Sequence, residues 1–134
     1  MAHVKGTILL VEDEDFVREV TSQVLQFAGY GVLKAKNAMD AISQFRRHQE
    51  KIELLLTDIV MPGKNGHDLA HDLSAVCPGL RTIFISGYPE NAITRNGWQE
   101  RGVLYLPKPF SVQSLLRKVK LALRGAGLPS GRGP

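Results

Sequence analysis

Five short apolar runs, separated by longer stretches with helical periodicity, constrain the fold of this chain more than any other feature. The runs are TILLV (7–11), GVLKA (31–35), IELLLT (52–57), RTIFIS (81–86) and VLYL (103–106). Three of them are almost continuously apolar, which is typical of parallel strands covered on both faces. Strands alternating with helices in this way predict right-handed connections and an open, doubly wound α/β sheet.

The stretches after the first, second, third and fifth runs carry apolar residues at helical spacing. Asn37 and Ser111 precede two of these stretches as predicted N-caps, and Asp40 stands at the third helical position of one. Segment 89–98 is more polar and is predicted to be the weakest of five helices. The predicted apolar faces consist of Phe16, Val17, Val20, Val24 and Ala28; Ala38, Ala41, Ile42 and Phe45; Leu69, Ala70, Leu73 and Val76; and Val112, Leu115, Leu116, Val119 and Leu123.

Length and composition fit one globular domain. The chain has 134 residues, of which 43% are hydrophobic and 22% are charged, ordinary values for a domain with a single core. Because no apolar run reaches the about 20 residues of a membrane span, and the start MAHVKG has no signal-peptide features, we expect a cytoplasmic protein without membrane contact. We assign residues 1–6 to an N-terminal extension, 7–124 to the domain, and the Gly/Pro/Ser-rich 125–134 to a flexible tail or linker start.

Charge and cysteine content exclude further classes. The net charge is +4, and the basic cluster near the end lacks the density and the interleaved aromatics of a nucleic-acid arm, so we expect no direct nucleic-acid binding. Cys77 is the single cysteine and is predicted to be a small, partly buried hydrophobe at a helix end. The basic cluster consists of Arg117, Lys118, Lys120 and Arg124.

Polar side chains collect at the carboxyl ends of the predicted strands, where open α/β sheets bind ligands. Glu12 and Asp13 follow the first strand, Asp58 follows the third, Ser86 closes the fourth, and Lys108 lies just after the fifth. Neighbouring carboxylates repel one another and need a cation, and carboxylates together with phosphate oxygens are typical ligands of Mg²⁺. The lysine and the hydroxyl add a positive charge and a hydrogen-bond donor, so the set predicts a site for a phosphoryl group.

Asp58 is the predicted nucleophile of this site. A carboxylate can attack phosphorus and form an aspartyl phosphate, and Asp58 follows a buried strand that should be central in the sheet. We expect its oxygen to face solvent, metal and phosphoryl donor together, with Glu12 and Asp13 holding Mg²⁺ (or Mn²⁺).

Four motifs together resemble the receiver domain of two-component response regulators. They are ILLVEDE, LLLTDIVMPGKNG, TIFISGY and YLPKPF, and with the last helix they cover residues 8 to about 124. The resemblance implies a (βα)₅ flavodoxin-like fold with strand order 2-1-3-4-5. The segment FISGYPENAI, followed by KPFS, is most similar to receivers attached to hybrid sensor histidine kinases. The chain is therefore expected to be a free-standing regulator or a domain of such a kinase.

The resemblance also implies roles for single residues. Asp58 would take a phosphoryl group from a phosphohistidine on a sensor histidine kinase or a phosphotransfer protein. Asp13, Asp58 and the backbone carbonyl of Val60 would hold the metal, with Glu12 contributing directly or through water. The other implied roles are Lys108 as the phosphate-binding lysine, Ser86 and Tyr105 as switch residues, and Pro109 as a proline preceded by a cis bond.

The same resemblance makes predictions about lifetime and output. Val60 and Tyr88 occupy positions that tune hydrolysis of the aspartyl phosphate, and an apolar and a bulky residue there predict slow self-dephosphorylation. Phosphorylation would change the surface formed by the fourth helix, the fifth strand and the fifth helix, through which a homodimer could also form. The chain is then a signalling receiver of a phosphorelay, not an enzyme that turns over other substrates.

Two alternative classes share part of this pattern. A phosphatase with an aspartyl-phosphate intermediate would carry D-x-D at its first strand, whereas this chain has adjacent acids there and the candidate nucleophile in its third strand. A flavin-binding domain would need Ser, Thr or Gly after the first strand, and the acidic EDED at 12–15 would repel the flavin phosphate.

Two short motifs are predicted to have no catalytic role. HDLAH places His67 and His71 four residues apart, as in a zinc protease helix, but no third ligand is evident, and both histidines are expected to face solvent. PGKNG lacks the Lys-Ser/Thr ending of a phosphate-binding loop and is predicted to be a turn.

Overall fold

The computed structural model describes residues 5–87 and 103–124, so the predicted helix at 89–98 and the two terminal segments 1–4 and 125–134 lie outside the described residues. The five strands coincide with the five apolar runs, except that the third and fifth each extend by one residue. The elements are β1 (Thr7–Val11), α1 (Asp15–Phe27), β2 (Gly31–Ala35), α2 (Ala38–His48), β3 (Ile52–Asp58), α3 (Gly66–Val76), β4 (Arg81–Ser86), β5 (Val103–Pro107) and the C-terminal helix (Val112–Arg124).

The sheet is entirely parallel, with the order β2-β1-β3-β4-β5, and this confirms the predicted fold. The register pairs Val11 with Thr57 and Asp58 with Ile85. Four strands therefore end side by side, and the residues that follow β1, β3, β4 and β5 meet at one edge of the sheet. β3 lies in the middle, which explains why its residues 54 to 56 are fully buried.

Two apolar layers cover the faces of the sheet. Leu9, Leu55 and Phe84 point toward α2 and α3, whereas Ile8 and Leu54 point toward α1 and the C-terminal helix. Alternate residues of one strand thus enter opposite layers, which explains why the strands read as continuous apolar runs.

Side-chain caps begin three of the helices. Asn37 Oδ1 accepts a hydrogen bond from the Asp40 N–H at 2.8 Å, and Ser111 Oγ accepts one from the Ser114 N–H at 3.0 Å, as predicted. Asn65 caps α3 in the same way, so the PGKNG turn ends on a helix cap. None of the helices described here combines the length and the apolar character that crossing a membrane requires.

The buried face of α1 differs from the predicted one. Phe16 is 79% exposed and Val20 is also exposed, whereas Thr21, Ser22 and Leu25 are buried. Thr21 and Ser22 thus belong to the buried face of the helix, and Ser22 Oγ accepts a hydrogen bond from Gln26 Nε2 at 3.2 Å. The apolar spacing predicted the helix correctly but assigned exposed residues to its buried face. The reason is that an apolar pattern does not count buried polar residues such as Thr21 and Ser22.

Gly66 provides a test of how α3 is joined to β3. A Cβ at this position would lie 2.1 Å from the carbonyl oxygen of Asp58, so Gly66→Ala must displace backbone. We expect it to lower the free energy of unfolding by about 1–3 kcal/mol or more, measured by urea denaturation. Gly79→Ala is the matched control, since a Cβ there would meet nothing within 4 Å; equal stabilities of the two variants would contradict the assigned contact.

Candidate functional site

Asp58 is the last residue of β3 and is only 3% exposed. The prediction that its oxygen faces solvent is therefore wrong. β3 lies between β1 and β4, Asp58 pairs with Ile85 of β4, and Lys108 Nζ lies 3.1 Å from the carboxylate, so the carboxylate is enclosed from several sides. The Thr57 hydroxyl donates to the carbonyl oxygen of Asp58 at 2.9 Å, which fixes the backbone where the strand ends.

Three carboxylates converge on this point. Glu12, Asp13 and Asp58 each present one carboxylate oxygen, and the three oxygens lie within 4.8 Å of one another. Glu12 is 1% exposed, whereas Asp13 is exposed. The cluster predicted from the strand ends is thus assembled, with two enclosed acids and one that is open to solvent.

Lys108 is the cation of the site. Its Nζ lies 3.1 Å from Asp58 Oδ1 and 3.9 Å from Glu12 Oε1. Partial burial opposes the charged ammonium, but attraction to Asp58 and then to Glu12 outweighs it and raises the pKa of Lys108. The Lys108 N–H donates to the carbonyl oxygen of Ser86 at 2.8 Å, and the Lys108–Pro109 peptide bond is cis, the geometry that the resemblance implies.

Glu12 is strongly perturbed by its surroundings. Burial, and next the interaction with Asp58, raise the pKa of Glu12 from 4.5 to about 7. The Glu14 N–H, 3.1 Å from Glu12 Oε2, and the charge of Lys108 act in the opposite direction. Below about pH 7 the metal-free Glu12 carboxyl therefore favours the protonated form, and a metal ion would displace this proton.

The donor set fits a divalent cation of the Mg²⁺ type. Glu12 Oε1 and Asp58 Oδ1 are both buried, and of the contacts described for these two oxygens, those with Lys108 Nζ are the ionic ones. Lys108 neutralises only part of the negative charge of three carboxylates, and hard oxygen ligands with an exposed side for water are what Mg²⁺ prefers. An ion here would be held by Glu12, Asp13 and Asp58.

Arg18 is a residue of the site that the sequence reasoning missed. Its Nη1 donates to the carbonyl oxygen of Glu12 at 2.8 Å and its Nη2 to Asp15 Oδ1 at 2.6 Å, so it ties the acidic loop after β1 to the first turn of α1. The i,i+3 spacing from Asp15 was a signal for the ion pair, but nothing local indicated the contact with the Glu12 carbonyl.

The remaining predicted site residues differ in how far they are buried. Ser86 is the last residue of β4 and is buried, and Tyr105 is a half-buried residue of β5. Val60 is 61% exposed, two positions after Asp58. Tyr88 lies outside the described residues, so the structure says nothing of its predicted role.

His67 does not face solvent as expected. Its ring lies 4.2 Å from that of Phe84, and the Phe84 ring lies 5.6 Å from that of Tyr105. Burial lowers the pKa of His67 to about 4, so the imidazole is neutral at neutral pH. His71, one turn further along α3, is exposed as predicted.

A parallel sheet of this order that carries an acidic cluster and a lysine at one edge defines a receiver-type signalling domain. The family described as the response regulator receiver domain matches residues 8–120, and the chain belongs to this family. Receiver domains interact with histidine kinases or phosphotransfer proteins, and they bind Mg²⁺ at an acidic pocket.

Two curated relatives come from Brucella abortus (strain 2308). Sensor kinase CckA is 38% identical over 115 residues, which are 86% of this chain but 12% of that protein. Response regulator receiver protein CpdR is 34% identical over 119 residues, which are 89% of this chain and 98% of that protein. The chain thus corresponds to one small part of the first relative and to nearly the whole of the second.

Solved structures of receiver domains have the same fold. The receiver domain of hybrid histidine kinase CckA superposes with a TM-score of 0.75 at 36% identity, covering 88% of this chain and 99% of that one. A receiver domain protein from Clostridium thermocellum superposes with a TM-score of 0.80 at 25% identity, covering 93% and 99%.

The raised pKa of Glu12 predicts how the stability of the metal-free protein changes with pH. Between about pH 4.5 and 7 the folded state binds more protons than the unfolded state, so the free energy of unfolding should fall as pH rises through this window. Glu12→Gln should remove this slope and be more stable than wild type at pH 8, by on the order of 1–3 kcal/mol.

Urea denaturation in EDTA from pH 4.5 to 8 measures this effect. Glu50→Gln, at an exposed glutamate, is the matched control and should keep the wild-type slope. A Glu12→Gln protein with an unchanged slope would show that Glu12 is not the protonated group.

Proposed function

We propose that this receiver accepts a phosphoryl group on Asp58 from a phosphohistidine of a sensor histidine kinase or a phosphotransfer protein. One observation carries the proposal: Asp58 Oδ1 lies 3.1 Å from Lys108 Nζ, within a cluster that includes the carboxylates of Glu12 and Asp13. The cluster offers a nucleophile, a cation for the phosphoryl oxygens and ligands for Mg²⁺ in one place.

In the proposed reaction a carboxylate oxygen of Asp58 attacks the phosphorus. A P–O bond forms, the P–N bond to the donor imidazole breaks, and the imidazole nitrogen keeps the electron pair. Glu12, Asp13, Asp58 and the Val60 carbonyl would hold Mg²⁺, which when bound supplies positive charge to the phosphoryl oxygens. Lys108, whose Nζ lies 3.1 Å from Asp58 Oδ1, would stabilise the same oxygens with its positive charge.

We further propose that Ser86 and Tyr105 transmit phosphorylation to the output surface. The phosphoryl group adds nearly two negative charges, toward which the Ser86 hydroxyl and Lys108 would turn, and Tyr105 would move inward as Ser86 leaves its place. The surface of β5, the C-terminal helix and the predicted helix at 89–98 would then bind a partner, or a second copy of the chain, differently.

The scope of this function is narrow. The protein would catalyse its own phosphoryl uptake and a slow loss of that group, and would not turn over other substrates or bind nucleic acid directly. The match to the receiver of CckA, called a hybrid histidine kinase, and to CpdR over nearly its full length supports a place in a phosphorelay, either as a separate regulator or as a kinase domain. We also propose that the protein acts in the cytoplasm.

The first test is the intact mass after incubation with Mg²⁺ and acetyl phosphate. We expect one added phosphoryl group in wild type and none in Asp58→Asn or in EDTA. Asp68→Asn, at an exposed aspartate, is the control and should be modified as in wild type. Modification of Asp58→Asn, or turnover of an added phosphate monoester by wild type, would contradict the proposal.

Val60 provides a test of the phosphoryl lifetime. Because an exposed apolar side chain two residues after Asp58 cannot orient an attacking water, Val60→Gln should shorten the lifetime by about tenfold. Loss of the added mass over time measures it. Val76→Gln, at an exposed valine of α3, is the matched control, and equal lifetimes in the two variants would show that Val60 does not tune hydrolysis.

A further inference from the structure

We propose that the first turn of α3 forms a second connection between Asp58 and Tyr105, with His67 as the positioning residue for the rings of Phe84 and Tyr105. The connection runs beside the one through Ser86 and contains no residue of the acidic cluster other than Asp58. This inference rests on the proposed function, in which Tyr105 responds to phosphorylation of Asp58.

The first half of the connection is a backbone contact. The Gly66 N–H donates to the carbonyl oxygen of Ile59 at 2.8 Å, and the Ile59 N–H donates to that of Ile85 at 3.1 Å. Because even a Cβ at Gly66 would meet the carbonyl oxygen of Asp58, α3 begins in direct contact with the backbone of the phosphoacceptor. A change in the backbone at Asp58 or Ile59 must therefore shift the start of α3 as well.

The second half is a row of three rings on the α3 side of the sheet. His67 directly follows Gly66, and its ring lies 4.2 Å from Phe84 with an interplanar angle of 35°. Phe84 is 4% exposed and lies 5.6 Å from Tyr105 at 31°. The 5.6 Å between Phe84 and Tyr105 is a distance typical of favourable aromatic pairs, and at 4.2 Å the His67 ring is in direct contact with that of Phe84. A displacement of His67 therefore changes the packing against which Tyr105 rests.

The burial and the neutral charge of His67 suit its role as a positioning residue for the rings of Phe84 and Tyr105. The ring is half-buried against an apolar neighbour, and its low pKa keeps it neutral at neutral pH. It therefore packs as an aromatic ring and brings no charge near the sheet. His71 lies on the same helix but is exposed, so it offers a control with the same chemistry outside the row.

If one connection runs through Ser86 and a second through His67, Tyr105 should respond to phosphorylation even without the Ser86 hydroxyl. The readout is the ring resonance of Tyr105 in protein labelled with ¹³C-tyrosine, assigned with Tyr105→Phe and recorded before and after acetyl phosphate and Mg²⁺. We expect Ser86→Ala to keep part of the shift, His67→Leu to reduce it by about twofold or more, and the double variant to abolish it. His71→Leu should behave as wild type.

Two results would overturn the proposal. One is a full Tyr105 shift in His67→Leu, and the other is a complete loss of the shift in Ser86→Ala with His67 intact. Intact mass ensures that each variant compared carries the phosphoryl group. His67→Phe keeps a ring at this position and should retain the Tyr105 shift. Loss of the shift in His67→Phe would also contradict the stacking role, and this test does not depend on whether His67→Leu folds.

Failure of the proposed function gives a different result. A wild-type protein that takes up no phosphoryl group would contradict the role of Asp58, whereas the packing is read separately in the unphosphorylated protein. There, His67→Leu should move the Tyr105 resonance and His71→Leu should not. An unmoved resonance in His67→Leu would overturn the aromatic connection itself.

Discussion

The burial of two carboxylates side by side is the constraint on which the rest of the structure depends. Glu12 and Asp58 are almost completely enclosed, a placement that is costly for charged groups. Lys108 offsets part of this cost, and burial raises the pKa of Glu12, which favours its uncharged form. Without a ligand, the negative charge of the buried carboxylates is only partly compensated. The site is therefore well suited to a cation and a phosphoryl group.

The surrounding elements hold this unfavourable arrangement in place. Arg18 fixes the carbonyl of Glu12, Thr57 fixes that of Asp58, and the Lys108 N–H is bound to β4. Each of these contacts is accepted by a backbone carbonyl, so none of them occupies a carboxylate oxygen of the cluster. Preorganised charge of this kind is what a phosphoryl-transfer site requires.

Packing around α3 connects the site to the aromatic residues of the sheet. Gly66 brings the helix against the backbone of Asp58, and His67 carries the contact to Phe84 and then to Tyr105. A rigid, close-packed layer transmits small shifts rather than absorbing them. In the proposed mechanism, the contacts at the start of α3 make Tyr105 sensitive to the phosphorylation of Asp58.

The sequence by itself determined the strands, the sheet class and the membership of the acidic cluster, because continuous apolar runs and the acids that follow them are local signals. Tertiary structure decided the rest. It buried Asp58, turned Phe16 outward, placed His67 on Phe84 and brought Arg18 to Glu12. These outcomes depend on which elements approach one another and how closely, and residue spacing along one element carries no information about that distance.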